Sequence, residues 1–208
     1  MSLEEIKSKF ENKSYFIRGE FIYNYDFQDD YFEYYRSFIL NFNYKIKNSD
    51  YVSDIIDLAR YLCIFEDTLY NVYMHYLNKP FHTLSKLSII DYAECRNKEF
   101  NDVNLEYSLR LLLHKRNNII LKNQLLVSLF IISEEKDYYF RALLKSLSKT
   151  NDWRSIYRVL RDDDFFLLQG KYQERVLAHI IKLHTKKDFG NGVSQLIVQR
   201  TVEFSKTK

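Results

Sequence analysis

The sequence predicts an all-α protein, either a multi-helix bundle or a short α-solenoid of stacked helical hairpins. Two observations lead to this prediction. Apolar residues recur every three or four positions along most of the 208-residue chain, which is the spacing of one helix face. The chain also contains only 4 Gly and 1 Pro, too few for the many turns of a β-sandwich or β-barrel.

A minor β element is predicted within residues 20–46. Every second residue is aromatic over one stretch, at Phe21, Tyr23, Tyr25 and Phe27. A similar alternation returns over Leu40–Ile46. Alternation with a period of two is typical of a half-buried strand, so both stretches favour short strands. Between them, aromatic residues spaced by three and four predict a helix over Asp29–Phe42.

Helices are predicted for the rest of the chain. Leu3–Glu11 is short and amphipathic. A long helix is expected from Asn48, an N-capping residue, to about Leu77, because the residue before Pro80 avoids helical angles. The remaining predicted helices are Leu84–Arg96, Asn104–Lys115, Asn118–Ile132, Glu135–Leu147, Asp152–Arg161, Lys171–Thr185 and Val193–Phe204.

Charge and aromatic content divide the chain into two halves. Residues 1–100 hold 23 of the 34 Phe and Tyr, and 12 Lys and Arg against 16 Asp and Glu. Residues 101–208 carry 19 Lys and Arg against 12 Asp and Glu. The sequence predicts an aromatic-rich, mildly acidic helical subdomain over 1–100 and a basic helical-hairpin subdomain over 101–208, or one domain with a charged face. The boundary is soft and lies near residues 97–104.

Cysteine content and apolar runs predict a cytoplasmic protein without a membrane partner. Cys63 and Cys95 are too few for a disulfide framework and are expected to be reduced thiols. Residues 1–10 lack the apolar core of a signal peptide. The longest apolar-rich run, Ile119–Ile132, is too short and too polar to span a bilayer.

Two of the C-terminal helices are predicted to carry basic stripes. At about 100° per residue, each set of cations falls within an arc of about 60°. The first set is Arg154, Arg158 and Arg161, with apolar residues and Trp153 on the other side. The second set is Lys171, Arg175, Lys182 and Lys186. If the two helices are neighbours, these cations form one strip suited to nucleic acid or to an acidic protein; otherwise they are the solvated faces of amphipathic helices.

The tyrosine-rich N-terminal half is a candidate protein interface. Tyrosine combines a large apolar ring with a polar tip and is enriched at interfaces. Tyr73, Tyr76 and Phe81, around the end of the predicted long helix, are the preferred contact residues. The alternative is an aromatic core whose hydroxyl groups reach the surface.

No catalytic residue, cofactor site or metal site is predicted. His179 and His184 are five residues apart and therefore point about 140° away from each other on a helix. The acidic run of residues 162–164 lacks the alternating ligands and central Gly of a calcium loop, and is expected to cap a helix or to be solvated.

Residues 111–118 resemble the motif region of the HEPN family. These are helical proteins, many of them RNases, whose signature is Arg, a polar residue and, a few positions later, His. Arg116 and Asn117 match the start of the signature, but residues 121–123 contain no His. The acid–base residue of the family is missing, so its activity is not carried over to this chain.

Taken together, these features predict a non-catalytic interaction or adaptor protein that binds another protein, such as a neutralising or regulatory partner. The first alternative is a nucleic-acid-binding protein that uses the basic strip. The second is a helical enzyme, such as a nuclease, whose dispersed residues form no visible motif. The oligomeric state is not predicted.

Overall fold

The computed structural model describes residues 3–10, 29–45, 47–115, 118–167 and 170–206, and all regular secondary structure in these ranges is helical. The predicted all-α fold is therefore confirmed. The helices are α1 (Leu3–Phe10), α2 (Asp29–Leu40), α3 (Ser49–Tyr61), α4 (Asp67–Leu77), α5 (Thr83–Phe100), α6 (Leu105–Leu113), α7 (Ile119–Ile132), α8 (Lys136–Leu147), α9 (Trp153–Arg161), α10 (Asp163–Leu167), α11 (Gly170–Lys187) and α12 (Asn191–Lys206). The chain divides into two compact units, Met1–Asp102 (unit 1) and Val103–Lys208 (unit 2).

The predicted β element is not found in the described residues. The alternation over residues 21–27 lies outside them. Residues 41–45 form turns and irregular backbone after α2, so the strand predicted there is wrong. The alternating aromatic side chains pack on one another and on a helix: the Phe42 ring lies edge-to-face with Tyr44 and Tyr51, at centroid distances of 4.9 and 5.3 Å. The Tyr44 hydroxyl donates to the carbonyl oxygen of Ile39 at 3.0 Å.

The single long helix predicted over residues 48–77 is also wrong, because the chain breaks it into α3 and α4. Cys63 adopts a left-handed conformation with φ of +53°. The N–H of Ile64 donates to the carbonyl of Ala59 at 2.9 Å, and that of Cys63 to the carbonyl of Arg60 at 3.1 Å. This hydrogen-bond pattern is a Schellman helix end. Glycine usually supplies the left-handed residue, so a cysteine there gives no stop signal in the sequence.

Replacing Cys63 with glycine is expected to raise the free energy of unfolding by about 0.5–1 kcal/mol. The left-handed conformation costs a non-glycine residue about 1–2 kcal/mol, and the greater freedom of glycine in the unfolded chain offsets part of the gain. The Cys63 side chain is exposed, so little packing is lost. Urea unfolding measures the change. Cys63→Ala is the matched control because it removes the thiol but keeps Cβ; equal midpoints for the two variants would contradict the prediction.

Unit 1 has an aromatic core. Helices α3 and α4 both pack against α5, and α2 packs against α3. Tyr35, Tyr73 and Tyr92 are among the largest fully buried side chains. The Tyr92 hydroxyl donates to the carbonyl of Ile64 at 2.7 Å, which ties α5 to the loop between α3 and α4.

Unit 2 is built around α7. Residues 123–130 of this helix are all buried, so α7 has no solvated face over two turns. Helices α6, α8, α9 and α10 pack against it. Helix α11 packs against α8, and α12 packs against α9 and α11. Helices arranged around a central one form a bundle, which is one of the two predicted architectures.

Candidate functional site

The seven predicted basic residues lie in two groups, on helices that share the neighbours α10 and α12 but differ in the third. Helix α9, with Arg154, Arg158 and Arg161, packs against α7, α10 and α12. Helix α11, with the other four cations, packs against α8, α10 and α12. The cations of α11 therefore lie beside those of α8, a pairing that the sequence did not predict.

Helices α8 and α11 lie side by side and run in the same direction. Near their N-terminal ends, the Tyr172 hydroxyl donates to Asp137 at 2.7 Å. Near their C-terminal ends, His179 Nε2 and Ser148 Oγ are 3.0 Å apart, and Lys187 Nζ donates to the carbonyl of Ser148 at 3.4 Å. Contacts in the same order along both helices show that the pair is parallel.

Parallel packing brings two rows of exposed cations together. Residues four or seven apart lie on one side of a helix, so two cations follow the outer face of α8 and four follow that of α11, while Lys149 lies in the turn just beyond α8. All seven side chains are exposed. We refer to them as the basic surface: Arg141 and Lys145 of α8, Lys149 in the turn after α8, and Lys171, Arg175, Lys182 and Lys186 of α11.

Asp137 shows that cations from both helices converge at the N-terminal end of the basic surface. Lys171 Nζ lies 3.7 Å from Asp137 Oδ1. The pKa of Asp137 is lowered, first by the hydrogen bond from Tyr172 and then by the positive charges of Lys171, Arg141 and Arg175. One carboxylate thus faces three cations, which leaves this end with a net positive charge.

Aromatic rings hold two of these cations in place. The Arg175 guanidinium lies over the Phe140 ring at 5.0 Å from its centroid, and Lys171 Nζ lies 4.6 Å from that of Tyr172. Cation–π contacts of this kind fix the position of a charge without neutralising it. Towards the C-terminal end, no carboxylate in the described part of the chain neutralises the cations. Among the described residues, no ion pair involves Lys145, Lys149, Lys182 or Lys186.

The cations of α9 form more hydrogen bonds to other side chains than those of the basic surface do. Arg154 Nε and Nη2 donate to the two carboxylate oxygens of Asp152, at 3.0 and 2.8 Å. Arg158 Nε donates to Gln124 Oε1 on α7 at 3.1 Å. Arg161 is exposed at the end of the helix. The α9 group therefore has less free charge to offer a ligand than the basic surface.

Two Ser–His pairs lie among the described residues, and the other hydrogen bonds of each pair assign the histidine as the donor. Ser148 Oγ donates to the carbonyl of Leu144 at 2.8 Å, so its contact with His179 uses a proton from Nε2. His184 Nδ1 accepts the N–H of Phe189 at 3.1 Å, so its Nε2 donates to Ser194 Oγ at 2.9 Å. Burial lowers the pKa of His179, and the charge of Lys182 adds to this effect, while a hydrogen bond to the backbone of Leu144 opposes it. A histidine that donates to serine cannot take the serine proton, so neither pair is arranged as an activated nucleophile.

Of the three residues predicted to contact a protein partner, Tyr73 does not lie at the surface, and the prediction for it is wrong. It is 0% exposed, and its hydroxyl lies 2.9 Å from that of Tyr44 inside unit 1. The sequence contained a sign of this, because Tyr73 lies four residues from both Leu69 and Leu77, which are also buried. Tyr76 and Phe81 are partly exposed and stack at 4.7 Å between ring centroids; they remain predicted contacts.

Within the described residues, no cluster of three His, Cys, Asp or Glu is placed to hold a metal ion. Asp162 Oδ1 instead accepts the N–H of Phe165 at 3.0 Å, so it caps α10 as the sequence suggested. No helix in the described part of the chain has the length and apolarity needed to cross a bilayer.

No family of known proteins, no curated protein and no solved structure was found to match this chain. Arg116 and Asn117, the residues that resemble the HEPN motif, lie outside the described residues. The function of the chain is therefore argued from its own side chains.

Proposed function

We propose that this chain is a non-catalytic interaction protein that binds a polyanionic macromolecule through the basic surface. The observation that supports it best is the alignment of seven exposed cations along two parallel helices and the turn that follows the first of them. Unit 2 as a whole carries 19 Lys and Arg against 11 Asp and Glu. The macromolecule is either an acidic protein or a nucleic acid, the two partner classes expected from the sequence.

The dimensions of the basic surface suit an extended ligand. From Lys171 to Lys186 the α11 row is about 22 Å long. An anionic chain laid along it would contact successive cations, and each neutralised phosphate would release condensed counterions, which makes such binding salt-dependent. The four lysines at the C-terminal end form no ion pair among the described residues, so binding there displaces no internal carboxylate.

We also propose that the protein works in a reducing compartment such as the cytoplasm. Cys63 and Cys95 are both free thiols. Disulfides form and persist mainly in oxidising compartments, so two free cysteines favour a reducing one.

Reversing the charge of Lys182 and Lys186 together is expected to weaken polyanion binding by about 10- to 100-fold at low salt, because two contacts are lost and two repulsions are introduced. Fluorescence anisotropy at about 50 mM salt measures the change, with a labelled single-stranded oligonucleotide and with labelled polyglutamate as separate probes. The difference in affinity between this variant and the unmodified protein should become smaller as the salt concentration is raised.

The matched control is Lys45→Glu with Lys79→Glu. Both lysines are exposed in unit 1, and the change in net charge is the same. We expect this variant to bind like the unmodified protein. Equal losses in both double variants would show that overall charge, rather than the basic surface, determines affinity. If the unmodified protein binds neither probe at low salt, the proposal is wrong.

A further inference from the structure

An open cleft adjoins the C-terminal end of the basic surface. Its volume is about 580 Å³, within the range of about 300–1,000 Å³ for small-ligand sites. It is lined by Ile119 at the start of α7 and by residues 149–154, which connect α8 to α9. Lys149 belongs both to the cleft and to the basic surface. Lys187 Nζ donates to the carbonyl of Thr150 at 2.7 Å, so α11 ends at the same loop.

Trp153 lines this cleft with a half-exposed side chain. The sequence analysis placed it with the apolar residues of α9, but its side chain is 51% exposed. The indole meets the ring of Tyr157 edge-to-face, with ring centroids 5.9 Å apart and ring planes at 82°. An exposed aromatic ring at the end of a cationic track is the arrangement with which proteins stack the bases of single-stranded nucleic acids.

The charges around Trp153 favour an anionic ligand. Lys149 is exposed and forms no ion pair among the described residues. The carboxylate of Asp152 is engaged by two hydrogen bonds from Arg154 and accepts the N–H of the same residue at 3.0 Å. The acidic group of the cleft is therefore compensated, and Lys149 adds an uncompensated positive charge to the lining that contains the indole.

We infer that the polyanion is a single-stranded nucleic acid, with phosphates along the basic surface and one base stacked on Trp153. This inference rests on the proposed function, because the basic surface supplies the phosphate contacts. An acidic protein would offer carboxylates to the lysines but is not required to offer a flat ring to the indole. Duplex DNA keeps its bases stacked inside the helix, so Trp153 would not contribute to binding it.

Trp153 is the only tryptophan in the chain, so its emission reports this contact alone. The protein is titrated at low salt with an oligouridylate of about 12 nucleotides, within the usual range of single-strand site sizes. A parallel titration uses polyglutamate. We expect the oligonucleotide to quench Trp153 emission, because a stacked base contacts the indole, and polyglutamate to leave it nearly unchanged.

Trp153→Leu is expected to weaken oligouridylate binding by about 5- to 100-fold in anisotropy measurements, the usual range for loss of one stacking contact. Its affinity for polyglutamate should not change. Trp153→Phe retains a ring and should recover part of the loss. Since the side chain is half exposed, both variants are expected to melt near the temperature of the unmodified protein, which circular dichroism checks.

The outcomes separate this inference from the proposed function. Oligouridylate that binds without quenching, or that binds Trp153→Leu with unchanged affinity, overturns the stacking contact while the basic surface remains the binding site. Equal quenching by polyglutamate overturns the choice of nucleic acid and favours an acidic protein. Failure of both polyanions to bind overturns both proposals.

Discussion

Replacing Tyr73 with alanine is expected to lower the free energy of unfolding by about 3–5 kcal/mol, the usual cost of truncating a large buried aromatic side chain. Tyr73 lies edge-to-face between Tyr44 and Tyr92, with ring centroids 5.2 and 4.8 Å away. Truncation would leave a cavity and remove both aromatic contacts. Urea unfolding followed by far-UV circular dichroism measures the loss.

Two further variants separate packing from hydrogen bonding. Burial raises the pKa of Tyr44 and Tyr73, so both hydroxyls keep their protons. The Tyr44 hydroxyl donates to the carbonyl of Ile39, so the Tyr73 hydroxyl is the donor to Tyr44. Tyr73→Phe removes only this bond and should cost about 1 kcal/mol. Tyr76→Ala, at a partly exposed neighbour, should cost less than Tyr73→Ala; similar losses from the two alanine variants would contradict the burial of Tyr73.

Replacing Arg200 with alanine should destabilise unit 2 by about 2–3 kcal/mol, the scale of hydrogen bonds to charged groups. Its side chain is 8% exposed. Nε donates to the carbonyl of Leu160 at 2.7 Å, Nη1 donates to Glu203 at 2.8 Å, and Nη2 pairs with Asp163. These bonds join α12 to the end of α9 and the start of α10. Asp163 and Glu203 are exposed enough to regain water, so the cost stays below that of breaking a fully buried pair.

The emission of Trp153 at the start of α9 follows the unfolding of this unit. Arg200→Lys keeps the charge but loses the planar set of guanidinium donors. We therefore expect a loss of stability smaller than that of Arg200→Ala. Arg161→Ala removes an exposed arginine from α9 and should change stability very little. Equal effects of Arg161→Ala and Arg200→Ala would show that the Arg200 contacts do not stabilise the unit.

Helix positions were predictable where capping residues agree with the hydrophobic period. Asn118 and Asp152 were both expected at helix starts, and each side chain accepts a backbone N–H of the helix that follows, from Leu121 and Arg154. The break at Cys63 was not predictable in the same way, because the residue in the left-handed position is not glycine. Its hydrogen bonds depend on the folded backbone rather than on a local sequence signal.

The candidate site was only half predictable. The α11 row was visible because its residues lie on one face of a helix, and Arg141, Lys145 and Lys149 repeat every four residues in the same way. The pairing of α8 with α11 was not visible, since α9 and α10 separate them along the chain. Neighbours in space that are distant in sequence are set by packing, which a single sequence does not display. The exposure of Trp153 was missed for the same reason.

The turn at Cys63 also sets the size of unit 1. A continuous helix over residues 48–77 would be a rod about 45 Å long, at about 1.5 Å per residue. A compact unit of about 100 residues has a radius of gyration of about 13 Å, and hence a diameter of about 34 Å. Such a rod would project beyond the unit, leaving apolar side chains at its end in water. By breaking the rod, one left-handed residue lets both α3 and α4 reach α5, so that their apolar faces share one core.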